Sequence, residues 1–314
     1  MQTMVLGVSS LRCSRLGYGC WRIAGSWDPA EVTAESRAAG RKAVIAAYEA
    51  GYTLFDLADI YCRGEAERLF GEVLKEVPGM RDRVVVVTKG GIRPAGTPHP
   101  DAPPRWDFSA GHLVSACEQS LKRLGIATLD LYLLHRPDFL ADPQEIARAF
   151  SELRAAGKAR YFGVSNFRPT LLTALQAACP MPLVAHQVEI SLAKLDALSD
   201  GTLDQCLAGQ ITPMAWSPLA AGLIGDGATR LLSWQKAYQT DKVRAALATI
   251  AAARGVSPTA VALAWLLRHP SKIQPIIGTT NPERIRDAVK ADSLELTREE
   301  WYHLLLAARG EPLP

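Results

Sequence analysis

Apolar residues fall along this chain in short, nearly continuous runs. Each run is followed by a longer stretch in which they recur every three or four positions. The short runs predict strands at 16–19, 53–56, 84–89, 129–135, 160–165, 183–187, 211–216 and 274–278. The periodic stretches predict helices at 34–50, 67–76, 110–124, 143–156 and 169–178. Runs that are apolar throughout, rather than alternating, belong to strands covered on both faces, which is the mark of a parallel sheet. Eight such β-then-α units with no break in composition predict one closed (β/α)₈ TIM barrel over 1–314. The rival is an open, doubly wound sheet. It would carry a Gly-rich dinucleotide turn after an early strand, and Gly17-Tyr18-Gly19-Cys20-Trp21 lacks the third glycine. An extra C-terminal helix is predicted at 297–308, opened by the capping box Thr297-Arg298-Glu299-Glu300.

Composition narrows the function. Thirty-five Lys and Arg against 32 Asp and Glu leave a net charge of +3, too little for a dedicated nucleic-acid binder. No apolar run approaches the roughly 18–20 residues that span a bilayer, and the start of the chain has no charged region before its short run Met4-Val5-Leu6-Gly7-Val8. The six cysteines lie far apart with no CxxC pair. These features together lead us to expect a cytoplasmic protein without membrane or nucleic-acid partners, with its thiols serving as small core residues. Oligomeric state is not legible.

Polar residues then stand out where the strands end. Asp56, Lys89, His135, Ser165 and Gln187 close five successive strands, and Tyr61 follows Asp56 by five positions. Each has an ordinary explanation alone: a cap, a strand exit, a turn anchor. In a barrel, however, strand ends converge on one site. A phenol near pKa 10 is a poor acid at neutral pH; an ammonium beside it stabilises the phenolate and lowers that value, and a carboxylate keeps the ammonium charged. Histidine can orient a carbonyl. Tyr61, Lys89, Asp56 and His135 therefore form a candidate acid relay for carbonyl reduction, with hydride supplied by a nicotinamide or flavin. Ser165, Asn166 and Gln187 suit a carboxamide, and Trp216 offers a flat ring for stacking. Gly278-Thr279-Thr280-Asn281-Pro282 places backbone N–H groups at a helix start, where a phosphate can bind. A metal-dependent hydrolase using His135, His186 and Asp56 is a weaker alternative. It lacks an HxH pair, and His186 should point away from Gln187 because side chains alternate along a strand.

With these residues in view, the chain resembles the aldo-keto reductases, in order and along nearly its whole length. The resemblance rests on 14–19, Asp56-Leu57-Ala58-Asp59-Ile60-Tyr61 with Glu67 and Gly71, Thr88-Lys89, 129–135, Gly163-Val164-Ser165-Asn166-Phe167, Gln187-Val188-Glu189, Trp216-Ser217-Pro218-Leu219, and Ile277-Gly278-Thr279 with Arg284. It implies a (β/α)₈ barrel that reduces an aldehyde or ketone with NADPH, with NADH left open. Tyr61 would be the proton donor, tuned by Lys89 and Asp56, and His135 the carbonyl-orienting residue. Ser165, Asn166 and Gln187 would hold the carboxamide, with Trp216 under the nicotinamide. Gly19, Cys20 and Trp21 would line the nicotinamide and substrate site, and Thr279 and Arg284 would hold the 2′-phosphate. Ser217, Leu219, Ile277, Gly278 and Thr280 complete the expected cofactor contacts. Non-catalytic barrels resembling potassium-channel β subunits are the alternative this likeness leaves open.

Four departures bear on that expectation. Trp216 replaces the commoner Tyr or Phe, Gly278 stands where some members have Lys, the adenine-side polar pair near Asp287-Ala288 is only half present because Ala288 has no polar side chain, and Cys62 follows Tyr61 in place of the usual glycine. We read Cys62-Arg63 as loop variation. The substrate pocket is expected to be walled by 90–107, 137–142 and 219–239, with Trp21, Trp27, Trp106 and Phe139 as candidate aromatic surfaces.

Overall fold

The computed structural model describes residues 1–226 and 240–313. Its centre is a closed barrel of eight parallel strands: β1 (Gly17–Gly19), β2 (Leu54–Asp56), β3 (Val85–Gly90), β4 (Leu129–Leu134), β5 (Ala159–Ser165), β6 (Leu183–Glu189), β7 (Thr212–Trp216) and β8 (Gln274–Ile277). Neighbours in sequence are neighbours in the sheet, and β8 closes on β1 through Ile276 opposite Gly17 and Ile277 opposite Tyr18. The doubly wound alternative is thereby excluded. The predicted helices are present within two residues of their expected bounds, at Ala34–Glu49, Glu65–Glu76, Ala110–Leu124, Pro143–Ala155 and Pro169–Ala178. Shorter or unpredicted helices follow at Thr202–Ala208, Asp241–Arg254, Pro258–Leu267 and Pro282–Ala288. The C-terminal helix, Arg298–Arg309, starts at the predicted capping box, with Thr297 and Glu300 each satisfying the other's backbone N–H.

Strand alternation divides the apolar residues into two layers. Leu54, Val85, Val87, Leu131, Leu133, Met214 and Ile276 point inward and pack together inside the barrel. Phe55, Val86, Tyr132, Phe162 and Val164 point outward into the layer shared with the helices. This is why the strands read as continuous apolar runs: both faces are buried.

The floor of the barrel was not foreseen. Thr3–Val5 and Arg12–Ser14 pair as an antiparallel hairpin, which inserts Leu6, Leu11 and Cys13 against the inward residues at the strand starts. Gly7 lies in the left-handed region (φ 50°) and donates its N–H to Thr212 Oγ1 at 2.8 Å. A Cβ there would stand 2.5 Å from the Val184 carbonyl oxygen, so the turn needs glycine to approach the barrel. The Pro-rich segment is also more ordered than a bare connector. Ile92–Arg93 pairs with Arg105–Trp106, and Arg93 Nε meets Asp107 at 2.6 Å.

All six cysteines are buried free thiols. Among the described residues, no single helix is long and apolar enough to cross a membrane.

His186 illustrates the outward layer. Its ring is fully buried, and Nε2 accepts the Phe167 N–H at 3.2 Å. Burial pushes its pKa down to about 4. The folded value lies below that of the unfolded chain, so the stability this neutral ring contributes is present above about pH 6.5 and disappears as pH falls through about 4. Urea unfolding of the wild type should therefore lose up to about 3 kcal/mol over that interval on account of this group. His186→Gln should flatten the dependence; an unchanged slope would reject the assignment.

Candidate active site

The parity that fills the barrel with apolar side chains also assembles its polar end. Counting by twos, Leu54 leads to Asp56; Val85 and Val87 to Lys89; Leu131 and Leu133 to His135. Gly163 leads to Ser165, Ala185 to Gln187, and Met214 to Trp216. Each of these six strands turns polar at its last inward position, and Asp56 and Gln187, 131 residues apart, meet there. His186 falls on the opposite parity. His135, His186 and Asp56 do not converge, so the ligand set that the hydrolase alternative requires is not brought together.

Lys89 is the hub. Its side chain is fully buried, and Nζ donates to Asp56 Oδ2 at 2.8 Å, to the Leu57 carbonyl at 2.7 Å and to the Tyr61 hydroxyl at 3.1 Å. Gln187 Nε2 donates to the other Asp56 oxygen at 2.8 Å. All three ammonium protons have acceptors, and both carboxylate oxygens have donors, as buried charge requires. Burial opposes the charged amine, but Asp56 and Tyr61 outweigh it and hold the Lys89 pKa above its ordinary value. Tyr61 does not match the simple expectation. Burial pushes its hydroxyl up, Lys89 pulls it down and Asp56 pushes it up again; the result lies above the usual phenol value rather than below it. The ammonium limits the rise instead of producing a fall. His135 stands edge-on to Tyr61, with ring centroids 6.0 Å apart. Burial, then Lys89 and Arg136, hold its pKa far below the ordinary imidazole value, so the ring is neutral.

These groups open into a cavity of about 1040 Å³. One wall is a hydrogen-bonded chain. Trp216 Nε1 donates to Asn166 Oδ1 at 3.0 Å, while Asn166 Nδ2 donates to the His135 carbonyl and to Ser165 Oγ. Asn166, with φ at 61°, therefore fixes the Trp216 ring relative to His135. Ser165 Oγ accepts from Asn166 and keeps its own O–H to donate. Gln187 spends its amide N–H on Asp56 and keeps its carbonyl oxygen to accept. Gly19, Trp21, Ser217, Leu219 and Ile277 line the same cavity, as do Gly278, Thr279, Thr280 and Arg284 at its far end.

Several expectations need correction. Cys20 does not line the cavity; its side chain is buried in the helix-facing core, and its backbone N–H bonds the Asp56 carbonyl. The helix start after β8 is a poorer phosphate cradle than predicted. Pro282 has no N–H, and the Asn281 side chain already takes those of Glu283 and Arg284. Cys62 is more than loop variation. It and Arg63 occupy left-handed backbone (φ 47° and 50°), and the Cys62 side chain is fully buried. The usual glycine has been replaced where its freedom is still used. A Cβ on Gly278 would lie 2.7 Å from Trp21 Nε1, so a side chain there would require the indole to move. Trp27 joins Trp21 in the cavity wall, whereas Trp106 and Phe139 pack on each other, 5.3 Å apart, on the exposed rim. Ile92 carries the 90–107 segment to the cavity, and residues 227–239 of the third expected wall lie outside the described residues.

Three groups escaped the sequence reading. Arg22 and Arg136 both line the cavity. Arg136 directly follows a polar strand end, a signal that could have drawn attention to it. Asp59 is buried near Glu67, which bonds Thr88 and Arg123; burial, then Glu67, push the Asp59 carboxyl up to about 8.

With the geometry in place, comparison with known proteins is informative. The family model described as "Aldo/keto reductase family" matches residues 15–304. The chain belongs to this family. It is 40% identical over 314 residues to the 6-dehydroglucose reductase of Agrobacterium fabrum, covering 99% of each chain. Among solved structures, it superposes on the thermostable aldo-keto reductase Tm1743, in complex with the inhibitor epalrestat, with a TM-score of 0.82 and 29% identity over 98% of this chain and 100% of that one. It also matches an aldo/keto reductase from Klebsiella pneumoniae in complex with NADP and acetate, with a TM-score of 0.79 and 27% identity over 97% and 94% of the two chains. This aldo-keto reductase is accordingly an oxidoreductase of carbonyl groups, with the (β/α)₈ fold of its relatives.

The Lys89–Asp56 pair gives a stability test. Lys89→Met leaves a buried carboxylate without its cation and should destabilise the protein by about 3–5 kcal/mol in urea unfolding. Adding Asp56→Asn should recover part of that loss. Strictly additive effects of the two changes would contradict the pairing.

Proposed function

We propose that this protein reduces an aldehyde or ketone to the alcohol with NADPH, using Tyr61 as the proton donor. The observation that carries the reading is the Lys89 ammonium shared between Asp56 at 2.8 Å and the Tyr61 hydroxyl at 3.1 Å. As negative charge develops on the carbonyl oxygen, Tyr61 gives it the phenolic proton. The phenolate left behind is stabilised by Lys89, whose charge Asp56 maintains. A resting phenol above its usual pKa is fully protonated at neutral pH, the state a proton donor needs. Neutral His135 has one ring N–H with which to fix the direction of the carbonyl oxygen.

The cavity suits a nicotinamide dinucleotide. Its volume is at the upper end of the usual range for small-molecule sites. Ser165 offers a donor and Gln187 an acceptor, the complement of a primary carboxamide, beside the flat ring of Trp216. Thr279, Thr280 and Arg284 stand at the other end, where a guanidinium matches a 2′-phosphate. When bound, the cofactor supplies the hydride. The NADP complex of the Klebsiella relative supports the same choice. The name of the 40%-identical relative, a 6-dehydroglucose reductase, supports an aldehyde on a hydroxylated carbon chain as the substrate class.

Tyr61→Phe should lower kcat by about 10²–10⁴-fold while the Kd for NADPH, followed by fluorescence, stays within about threefold. Wild-type turnover in that variant would end the proposal. Reduction should hold steady through neutral pH and fall only as pH rises through the Tyr61 pKa, above 10; alcohol oxidation, which needs the phenolate, should rise over the same range. For the cofactor, Arg284→Ala should weaken NADPH binding about tenfold or more and NADH binding little. Equal losses for both would place the 2′-phosphate elsewhere.

A further inference from the structure

Arg22 and Arg136 enter the cavity, and the proposed chemistry uses neither. Each guanidinium lies over an indole: Arg22 is 4.3 Å from the Trp21 ring centre and Arg136 is 5.4 Å from that of Trp216. Neither side chain has a hydrogen bond or ion pair with any described residue, although burial holds both below the ordinary guanidinium pKa. Arg22 is solvent-exposed, so water serves its donors; Arg136 is half-buried, and a planar group with five N–H donors and no acceptor among the described residues favours a ligand that brings oxygen atoms.

The two differ in place. Trp21, which carries Arg22, abuts Gly278 at the phosphate end. Arg136 is the residue after His135, and the titratable groups acting on it are Tyr61 and Glu189. It therefore sits at the carbonyl end, over the ring of Trp216. The Glu189 carboxylate offsets its charge, which suits neutral oxygens better than a lone anion. In the same cavity, Trp27 is 54% exposed and stands edge-on to Tyr61 with ring centres 5.9 Å apart. A two-pronged donor and a flat apolar ring in one cavity, both beside Tyr61, match a carbon chain with hydroxyls on one edge and C–H bonds on the other.

We infer that Arg136 sets substrate specificity, donating to the hydroxyl oxygens beside the carbonyl of a polyhydroxylated aldehyde. The inference rests on the reductase reading above. The experiment compares D-glyceraldehyde with propanal, which has the same three carbons and no hydroxyls, for wild type, Arg136→Met and Arg136→Lys. Wild type should favour glyceraldehyde in kcat/KM, and Arg136→Met should reduce the glyceraldehyde-to-propanal ratio about 10–100-fold, mainly through KM. Arg136→Lys should recover part of the ratio, and the Kd for NADPH should stay within about threefold in both variants. A ratio unchanged by Arg136→Met would overturn the inference, as would a matching loss of NADPH affinity, which would make Arg136 a support for Trp216. Succinic semialdehyde provides the remaining arm: if wild type prefers it to glyceraldehyde and Arg136→Met abolishes that preference, the residue reads an anion and the inference fails. If wild type reduces none of the three aldehydes, the reductase reading fails instead.

Discussion

A single buried ammonium organises this protein's working end. Lys89 is wholly removed from water, so each of its protons must find an oxygen, and the three oxygens come from β2 and the loop that follows it. Satisfying that charge brings the Tyr61 hydroxyl to the Lys89 amine and locks Asp56 in place, with Gln187 completing the carboxylate's bonds from across the barrel. The same contacts that make the burial tolerable place the phenol where it can act. An uncompensated charge at this depth would destabilise the fold, so structure and chemistry share one constraint.

The barrel makes that constraint affordable. Inward positions are mostly apolar through the middle of the barrel, with Thr212 and Gln274 polar at the hairpin floor, and become polar at the last inward residue of β2 to β6. The low-dielectric layer beneath the site strengthens the Lys89–Asp56 attraction and suppresses protonation of His135. It also raises Tyr61, so the ammonium works against desolvation rather than against bulk water. Strain sits beside the site: Asn166, which ties Trp216 to His135, and Cys62 and Arg63, which follow Tyr61, all hold left-handed backbone without being glycine.

Much of this was legible in the sequence because its signals are periodic and local. Continuous apolar runs revealed strands buried on both faces, and the capping box at Thr297 located the last helix. The polar strand ends identified Asp56, Lys89, His135, Ser165 and Gln187. The N-terminal hairpin was invisible because its three-residue strands are specified by the barrel floor they cover, not by their own pattern. Arg22 and Arg136 were missed for a related reason: a single arginine in a loop has no periodicity, and only neighbouring rings and the absence of acceptors distinguish it from a solvated one.

By itself, then, the sequence determined the order of strands and helices, the parity of their side chains and the family to which the chain belongs. The order and the parity follow from the 2.0- and 3.6-residue repeats, which one chain segment carries without reference to any other; the family follows from the ordered motifs that resemble it. Only the tertiary structure decided the direction of the Tyr61 shift, the orientation of Cys20 into the core and the close approach of Trp21 to Gly278. Each of these depends on what residues distant in sequence do to the same few ångströms of space, through desolvation or steric contact, and no local pattern encodes that.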